Sequence, residues 1–353
     1  MNQKRLGDLK NTFEDKGVDA FLVTDLLNIY YMSGFRTDVS SLLVTRQENF
    51  IITDFRYKED AERIPGFKVK LVTRGLKGLL IKTLKDSNIK TLGFEADNLS
   101  YGKALAFNRL LKKERIKFEP LSGVVEELRL YKSESEINEI RKAIAISKKA
   151  FNALKNKVKP GITEKRLSLI LENLIRDNGG DAGAFETIIA AGENSSRPHA
   201  YITDRKIKNN EHLLIDFGVK INAYNCDLTR VLFLGKIQKL LKDIYGICRD
   251  AQRRAIDKVK PGAAIEEVDR AARGYIAGKG FGGFFGHSLG HGIGLAVHEL
   301  PRIYPKSNKR LKQNMVFTIE PGIYLKGTGG VRIEDMVLVT KKGCEVLTDG
   351  IPK

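Results

Sequence analysis

Five residues occur twice in this chain: Lys157-Val-Lys-Pro160-Gly161 returns as Lys258-Val-Lys-Pro261-Gly262. Each copy closes one stretch of helical periodicity and opens another. Each second stretch runs out in glycine, at Gly179-Gly180 and at Gly278 and Gly280. Proline lacks the N–H that would continue a helix, and glycine takes turns other residues resist. Because the surroundings match as well as the five residues do, the pattern predicts an ancient duplication: two helix–turn–helix–sheet halves facing each other.

The repeat organises the acidic residues. After Pro160 come two strand-like stretches, His212-Leu-Leu-Ile-Asp216-Phe-Gly-Val and Cys226-Asp227-Leu-Thr-Arg-Val-Leu-Phe-Leu. After Pro261 come Met315-Val-Phe-Thr-Ile-Glu320-Pro-Gly and Val331-Arg332-Ile-Glu334-Asp-Met-Val-Leu-Val. Each half is thus expected to form a hairpin with a buried carboxylate on each arm. Burying a carboxylate is costly unless it is paired or metal-bound. Any one of these acids read alone would more often be a cap or an ion-pair partner. Placed at four matched positions, they predict a shared cation site.

Histidine is scarce, five in 353 residues, and three fall between His287 and His298 in His287-Ser-Leu-Gly-His291-Gly-Ile-Gly-Leu-Ala-Val-His298. Neutral imidazole is a common metal ligand and a base near pH 7. The glycines crowded around it, Gly290, Gly292 and Gly294 among them, are expected to let backbone come close to whatever the imidazoles hold. His212 lies just outside the pattern and reads as an ordinary residue. One imidazole with four carboxylates is an oxygen-rich donor set. It suits two divalent ions, Mn2+ or Co2+ foremost, with Zn2+ or Fe2+ also compatible. Such a pair activates water and polarises a carbonyl, which points to metal-assisted hydrolysis.

Upstream, residues 1 to about 122 alternate helical and strand-like patterns. Val18–Thr24, Ser41–Thr45, Phe50–Thr53, Phe67–Val72, Lys90–Phe94 and Lys117–Leu121 read as strands of a small α/β domain. This region has no histidine or cysteine, so metal chemistry is expected elsewhere. Ser133-Glu-Ser-Glu136 is a capping-box pattern opening a long helix that must stop before Pro160. The domains are therefore drawn as 1–124 and 125–353.

The net charge of +18 is spread in short clusters, without an aromatic RNA-binding or a DNA-binding signature, which argues against nucleic acid as the main partner. No apolar run reaches the length of a membrane span, and no signal peptide is visible. Three cysteines without CxxC spacing suit a reducing, cytoplasmic setting.

The motifs Asp216-Phe-Gly, Asp227-Leu-Thr-Arg230, His287-Ser-Leu-Gly-His291-Gly-Ile-Gly-Leu, Val297-His298-Glu299, Glu320-Pro-Gly-Ile-Tyr and Gly330-Val-Arg332-Ile-Glu334-Asp together resemble the pita-bread metallopeptidases. The resemblance is to the proline-specific branch, Xaa-Pro aminopeptidases and Xaa-Pro dipeptidases (prolidases), over nearly the whole chain. It implies an α+β chain: a C-terminal pita-bread fold with pseudo-twofold duplication behind a smaller creatinase-like α/β domain. It implies metal ligands Asp216, Asp227, His291, Glu320 and Glu334, with Asp227 and Glu334 bridging two ions and a bridging hydroxide attacking the scissile carbonyl. Glu320 would also shuttle a proton. His199 (in Arg197-Pro-His199-Ala), His287, His298 and Arg332 would take supporting catalytic roles. Proline-containing peptides or dipeptides are the implied substrates, and a homodimer the implied assembly. Ala296 and Asn209-Asn210-Glu211 depart from the family pattern without removing a chemical group. A methionine aminopeptidase-like enzyme is the nearest alternative, although such enzymes usually lack the N-terminal domain. A non-catalytic pita-bread peptide-binding protein would be expected to have lost ligands, and a creatinase-like enzyme would lack the full metal set.

Overall fold

A computed structural model describes residues 2–73 and 75–353, and contacts divide the chain into two units, 1–129 and 130–353. In the first unit, strands β1 (Ala20–Val23), β2 (Ser41–Thr45), β3 (Asn49–Thr53), β4 (Lys68–Leu71), β5 (Thr91–Glu95) and β6 (Lys117–Leu121) form one sheet in the order β4-β3-β2-β1-β5-β6. β1, β5 and β6 run parallel, as do β3 and β4, while β2 is antiparallel to both its neighbours. Leu80 and Leu84 from helix Leu76–Asp86, and Phe107 and Leu111 from helix Tyr101–Lys113, pack on Leu22, Leu43, Ile52 and Leu92 of the sheet. The strand stretches anticipated from periodicity are all present. Helix Leu26–Ser33 was not anticipated; it is opened by Asp25, whose Oδ1 accepts from the N–H groups of Leu27 and Asn28.

The division falls after Arg129 rather than after residue 124. Helix Val124–Arg129 is held inside the first unit by polar contacts: Arg129 Nη1 donates to Asn28 Oδ1 at 2.8 Å, and Asn28 Nδ2 donates to Glu126 Oε1 at 2.6 Å. No sequence periodicity marks bonds of this kind.

The second unit contains the duplication. Its first half has helices Glu134–Lys155 and Glu164–Asp177, then β7 (Ala182–Gly183), β8 (Ile188–Ala191), β9 (Glu211–Phe217), β10 (Val219–Ile221), β11 (Tyr224–Asn225) and β12 (Leu228–Leu234). The second half has helices Lys239–Ile256 and Ile265–Gly278, then β13 (Gly290–Gly292), β14 (Glu299–Ile303), β15 (Val316–Ile319), β16 (Gly322–Leu325), β17 (Gly329–Arg332), β18 (Asp335–Val339) and β19 (Cys344–Val346). Strand order β12-β9-β8 in one half answers β18-β15-β13 in the other. The short hairpins β10–β11 and β16–β17 answer each other in the same way. Even the isolated bridges correspond, Thr163 with Lys206 and Ala264 with Arg310.

Local signals account for the helices. The Ser133–Glu136 capping box is formed, and Ile137, Ile140, Ile144, Phe151 and Leu154 make a buried stripe at helical spacing. Thr163 caps the next helix through its side chain, whereas Ala264 has no side chain able to do so. In the second half, Ile244, Cys248, Ala251 and Ala255 from one helix and Val268, Ala272 and Ile276 from the other share a core with Phe317, Ile319 and Val337. All three cysteines are free, and no helix among the described residues is long and apolar enough to cross a membrane.

Candidate metal centre

The four acids lie where strands end or turn. Asp216 is the penultimate residue of β9, opposite Thr229, and Asp227 immediately precedes β12. Glu320 follows β15, and Glu334 sits between β17 and β18. Glu334 N–H donates to Thr229 O at 3.2 Å, which ties the acidic turn of one half to the acidic strand of the other.

His291 lies on β13 with its Nε2 3.3 Å from Glu320 Oε1 and 3.7 Å from Asp227 Oδ2. Its Nδ1 faces Gly292 O at 3.1 Å; a carbonyl only accepts, so the proton belongs on Nδ1, and the Nε2 lone pair points among the carboxylates, where a cation could take it. One ligand atom each from Asp227, His291 and Glu334 lies within 4.8 Å of the others. Asp216 joins the group through Arg332, whose Nη2 is 2.5 Å from Asp216 Oδ2.

Whether these residues fit a divalent metal can be judged from their unused atoms. Asp216 Oδ1, Asp227 Oδ1 and Glu334 Oε1 are all buried without a hydrogen-bond partner. Three partnerless carboxylate oxygens in one pocket are costly and are relieved by cations. Without cations, Asp227, Glu320 and Glu334 resist ionisation. Burial, and then the charges of Glu334 and Asp216, hold Asp227 well above its ordinary range; burial, Glu320 and Asp216 do the same to Glu334. Glu320 is pushed up to about 8, chiefly by burial. The donor set fits divalent ions that prefer oxygen and imidazole.

Arg332 is almost fully buried and spreads its fork over several groups. Besides Asp216, it donates to Thr229 Oγ1 at 3.0 Å, to Tyr324 OH at 2.7 Å and to Pro198 O at 3.2 Å. Tyr324 passes its own proton to His287 Nε2 at 3.1 Å, because His287 Nδ1–H already faces Ser288 O at 2.8 Å. His287 is therefore neutral and engaged, with burial lowering its pKa to about 4. His298 stands edge-on to His291, ring centres 4.2 Å apart, and is exposed. His199 is exposed as well and makes no hydrogen bond among the described residues.

Residues that the sequence reading did not single out complete the surroundings. Thr229 donates to Glu334 Oε2 at 2.8 Å, and Thr318 donates to Glu320 Oε1 at 3.1 Å while accepting from His291 N–H. The loop carrying His298 is tied down by a buried ion pair, Lys132 Nζ to Glu299 Oε1 at 2.8 Å. Thr229, Tyr324 and Glu299 all lay inside the quoted motifs, but nothing in a motif says which hydroxyl meets which carboxylate. His212, read as standing outside the site, is fully buried and bonded to Ser195.

Two of the glycines around His291 are required by packing. A Cβ on Gly290 would stand 1.9 Å from Thr318 O, and one on Gly292 would stand 2.1 Å from Leu300 O. They admit the neighbouring strands at close range. At the departure Asn209-Asn210, Asn210 takes the left-handed turn, φ 63°, in place of a glycine.

Comparison with known proteins places the chain in a family. Residues 138–341 match the metallopeptidase family M24, and residues 5–131 match the creatinase/prolidase N-terminal domain. The chain belongs to metallopeptidase family M24. It is 37% identical to an Xaa-Pro dipeptidase of Pyrococcus horikoshii, over 95% of this chain and 94% of that protein. Among solved M24-type structures, an Xaa-Pro dipeptidase from Bacillus anthracis superposes with TM-score 0.96 at 36% identity, covering 100% of this chain and 99% of the other. An X-Pro aminopeptidase from Thermotoga maritima superposes with TM-score 0.89 at 37% identity, covering 98% and 97%. The fold expectation, a creatinase-like domain followed by a duplicated pita-bread metallopeptidase domain, is met.

Proposed function

We propose that this M24 metallopeptidase is a dinuclear-metal exopeptidase that hydrolyses the Xaa-Pro bond at the N-terminus of peptides or in Xaa-Pro dipeptides. The observation that carries the reading is the nest of Asp216, Asp227, His291, Glu320 and Glu334, with three carboxylate oxygens buried and partnerless. Those five residues would hold two divalent ions, Mn2+ or Co2+ by preference. Once bound, the ions supply a nucleophile from water at neutral pH and polarise the scissile carbonyl.

The protein's own residues do the rest. Glu320, beside the scissile bond in this reading, would hold and move the proton that reaches the leaving proline nitrogen. His298 and His199, both exposed, are free to contact the developing oxyanion or the substrate carboxylate. Arg332 orients Asp216, and His287 fixes Arg332 through Tyr324.

Preference for proline is supported by the relatives named as Xaa-Pro dipeptidases, and the matched N-terminal domain favours them over a methionine aminopeptidase-like enzyme. A bond before proline lacks the N–H that extended-register peptidases grip, and a rigid cleft can dispense with it. We further propose a cytoplasmic homodimer, the assembly to be checked by light scattering. The deciding experiment compares kinetics on Xaa-Pro and Xaa-Pro-Xaa peptides with Mn2+, Co2+, Zn2+ or Fe2+ added. Turnover is expected for at least one substrate length, and its ratio separates dipeptidase from aminopeptidase. No cleavage of either with any ion would sink the proposal.

A further inference from the structure

Behind the carboxylates lies a second set of polar residues that touches none of the five donor side chains. Gln252, on helix Lys239–Ile256, is fully buried. Its Nε2 donates to two carbonyls, Ile319 O at 3.0 Å and Ile333 O at 3.1 Å. These are the residues directly before Glu320 and Glu334. One carboxamide thus grips the backbone that delivers two of the carboxylates, from two different strands.

The other end of that carboxamide is also engaged. Two carbonyls can be met only by the NH2 side, which fixes the amide orientation and leaves Oε1 facing away from the strands. Lys353 Nζ donates to that Oε1 at 2.7 Å and also pairs with Asp335 Oδ2 at 2.5 Å. Asp335 is fully buried, directly follows Glu334, and takes Arg230 Nη2 and Thr348 Oγ1 on its other oxygen, each at 2.7 Å. Arg230 Nη1 in turn donates to Glu334 O. Glu334 is thus held from the residue before it, from its own carbonyl and from the residue after it.

We propose that Gln252 is a positioning residue for the carboxylate nest and that Lys353 locks it in place. Together they set the separation of Glu320 and Glu334, and with it the affinity for divalent ions. The inference rests on the proposed metal-holding role of those glutamates and adds residues that no ligand motif contains. A brace of this kind acts through geometry, by fixing the backbone that carries both glutamates. Changes to groups that support metal ligands typically cost about 10- to 100-fold in metal affinity.

Lys353 is the end of the brace to test, because its side chain is 34% exposed and can be changed without opening the core. Chelated full-length protein, wild type, Lys353→Met, Lys353→Arg and Gln252→Leu, is titrated with Mn2+ by calorimetry, and the melting temperature of each is read without metal. Lys353→Met should raise the Mn2+ Kd about tenfold and lower the metal-free melting temperature only in part, because Arg230 still pairs with Asp335, while Lys353→Arg restores most of the affinity. Gln252→Leu should raise Kd further, but it can also destabilise the fold, so the lysine pair decides. Wild-type affinity in Lys353→Met overturns the brace while leaving the metal centre intact. Absence of Mn2+ binding by the wild type overturns the centre itself.

Discussion

His212 Nε2 lies 2.7 Å from Ser195 Oγ, with both side chains sealed from solvent. The serine has one proton, which goes to Gly192 O at 2.6 Å. Its oxygen therefore accepts from Gly330 N–H at 2.8 Å and from an Nε2–H on His212. His212 is then neutral, with Nδ1 buried and partnerless. The pair ties the turn that leads into Pro198 and His199 to β17, the strand bearing Arg332.

Burial holds the His212 imidazole below its ordinary value of 6.5. The unfolded chain therefore binds the extra proton first. Stability from this group is complete above 6.5 and is lost as pH falls from 6.5 toward the lowered folded value. The stability advantage of wild type over His212→Asn should shrink between about pH 7.5 and about pH 5.5 in urea titrations. An advantage that stays constant over that range would refute the assignment. Ser195→Ala should cost about 1–3 kcal/mol by leaving Gly330 N–H without its acceptor.

Ion binding should release protons. With Glu320 near 8, and Asp227 and Glu334 also raised, the metal-free nest is protonated in part at pH 7 and must ionise to accept a cation. Calorimetry of Mn2+ binding in buffers of different ionisation enthalpy should show a buffer-dependent heat, and affinity should weaken as pH falls. A heat independent of buffer would contradict the raised carboxyls. The same shifts make the chelated protein less stable as pH rises from 4.5 toward 8, because the native state holds the extra protons there.

Replacing Arg332 separates charge from geometry. Arg332→Ala leaves Asp216 and Tyr324 without their buried donor and should destabilise by about 3–5 kcal/mol while weakening ion binding. Arg332→Lys keeps the charge but cannot serve Thr229, Tyr324 and Asp216 at once, so its ion affinity should lie between alanine and wild type. Equal affinity for lysine and wild type would show that charge alone matters.

Gly290→Ala tests the packing role of the glycines. Its Cβ would meet backbone at Thr318, which cannot swing aside, so β13 must part from β15 and carry His291 with it. Expected is a melting temperature lowered by a destabilisation of about 3 kcal/mol or more. Gly278→Ala, with nothing within 4 Å of the new methyl, should be close to neutral.

Glu320→Ala should abolish turnover of Xaa-Pro substrates while circular dichroism stays native. Retained turnover would overturn the role given to Glu320.

Sequence patterns carried the architecture because apolar periodicity and the Pro-Gly punctuation survive in one dimension. The halves, the capping box at Ser133 and all six strands of the first unit could be read that way. The carboxylates were legible because acids next to apolar stretches stand out, although only Asp216 lies within a strand and the other three sit at strand ends or turns. Partners that meet only in space were not. Thr229 to Glu334, Arg332 to Pro198 and Gln252 to Ile319 and Ile333 join positions far apart in the chain, and a threonine or glutamine in a helix or strand looks no different whether it holds a site or not.

The correspondence between β8 and β13 breaks at one telling position. Ile188 lies opposite Asp216, as Leu289 lies opposite Glu320, so two residues along each strand Ala190 answers His291. The half that pairs Asp216 brings a methyl where the other brings an imidazole. Two cations lodged in this nest would therefore never be equivalent: one would have a nitrogen donor and the other only oxygen. Occupancy should build in two unequal stages, and a preparation loaded at limiting metal would be a population of half-filled molecules all filled on the same side.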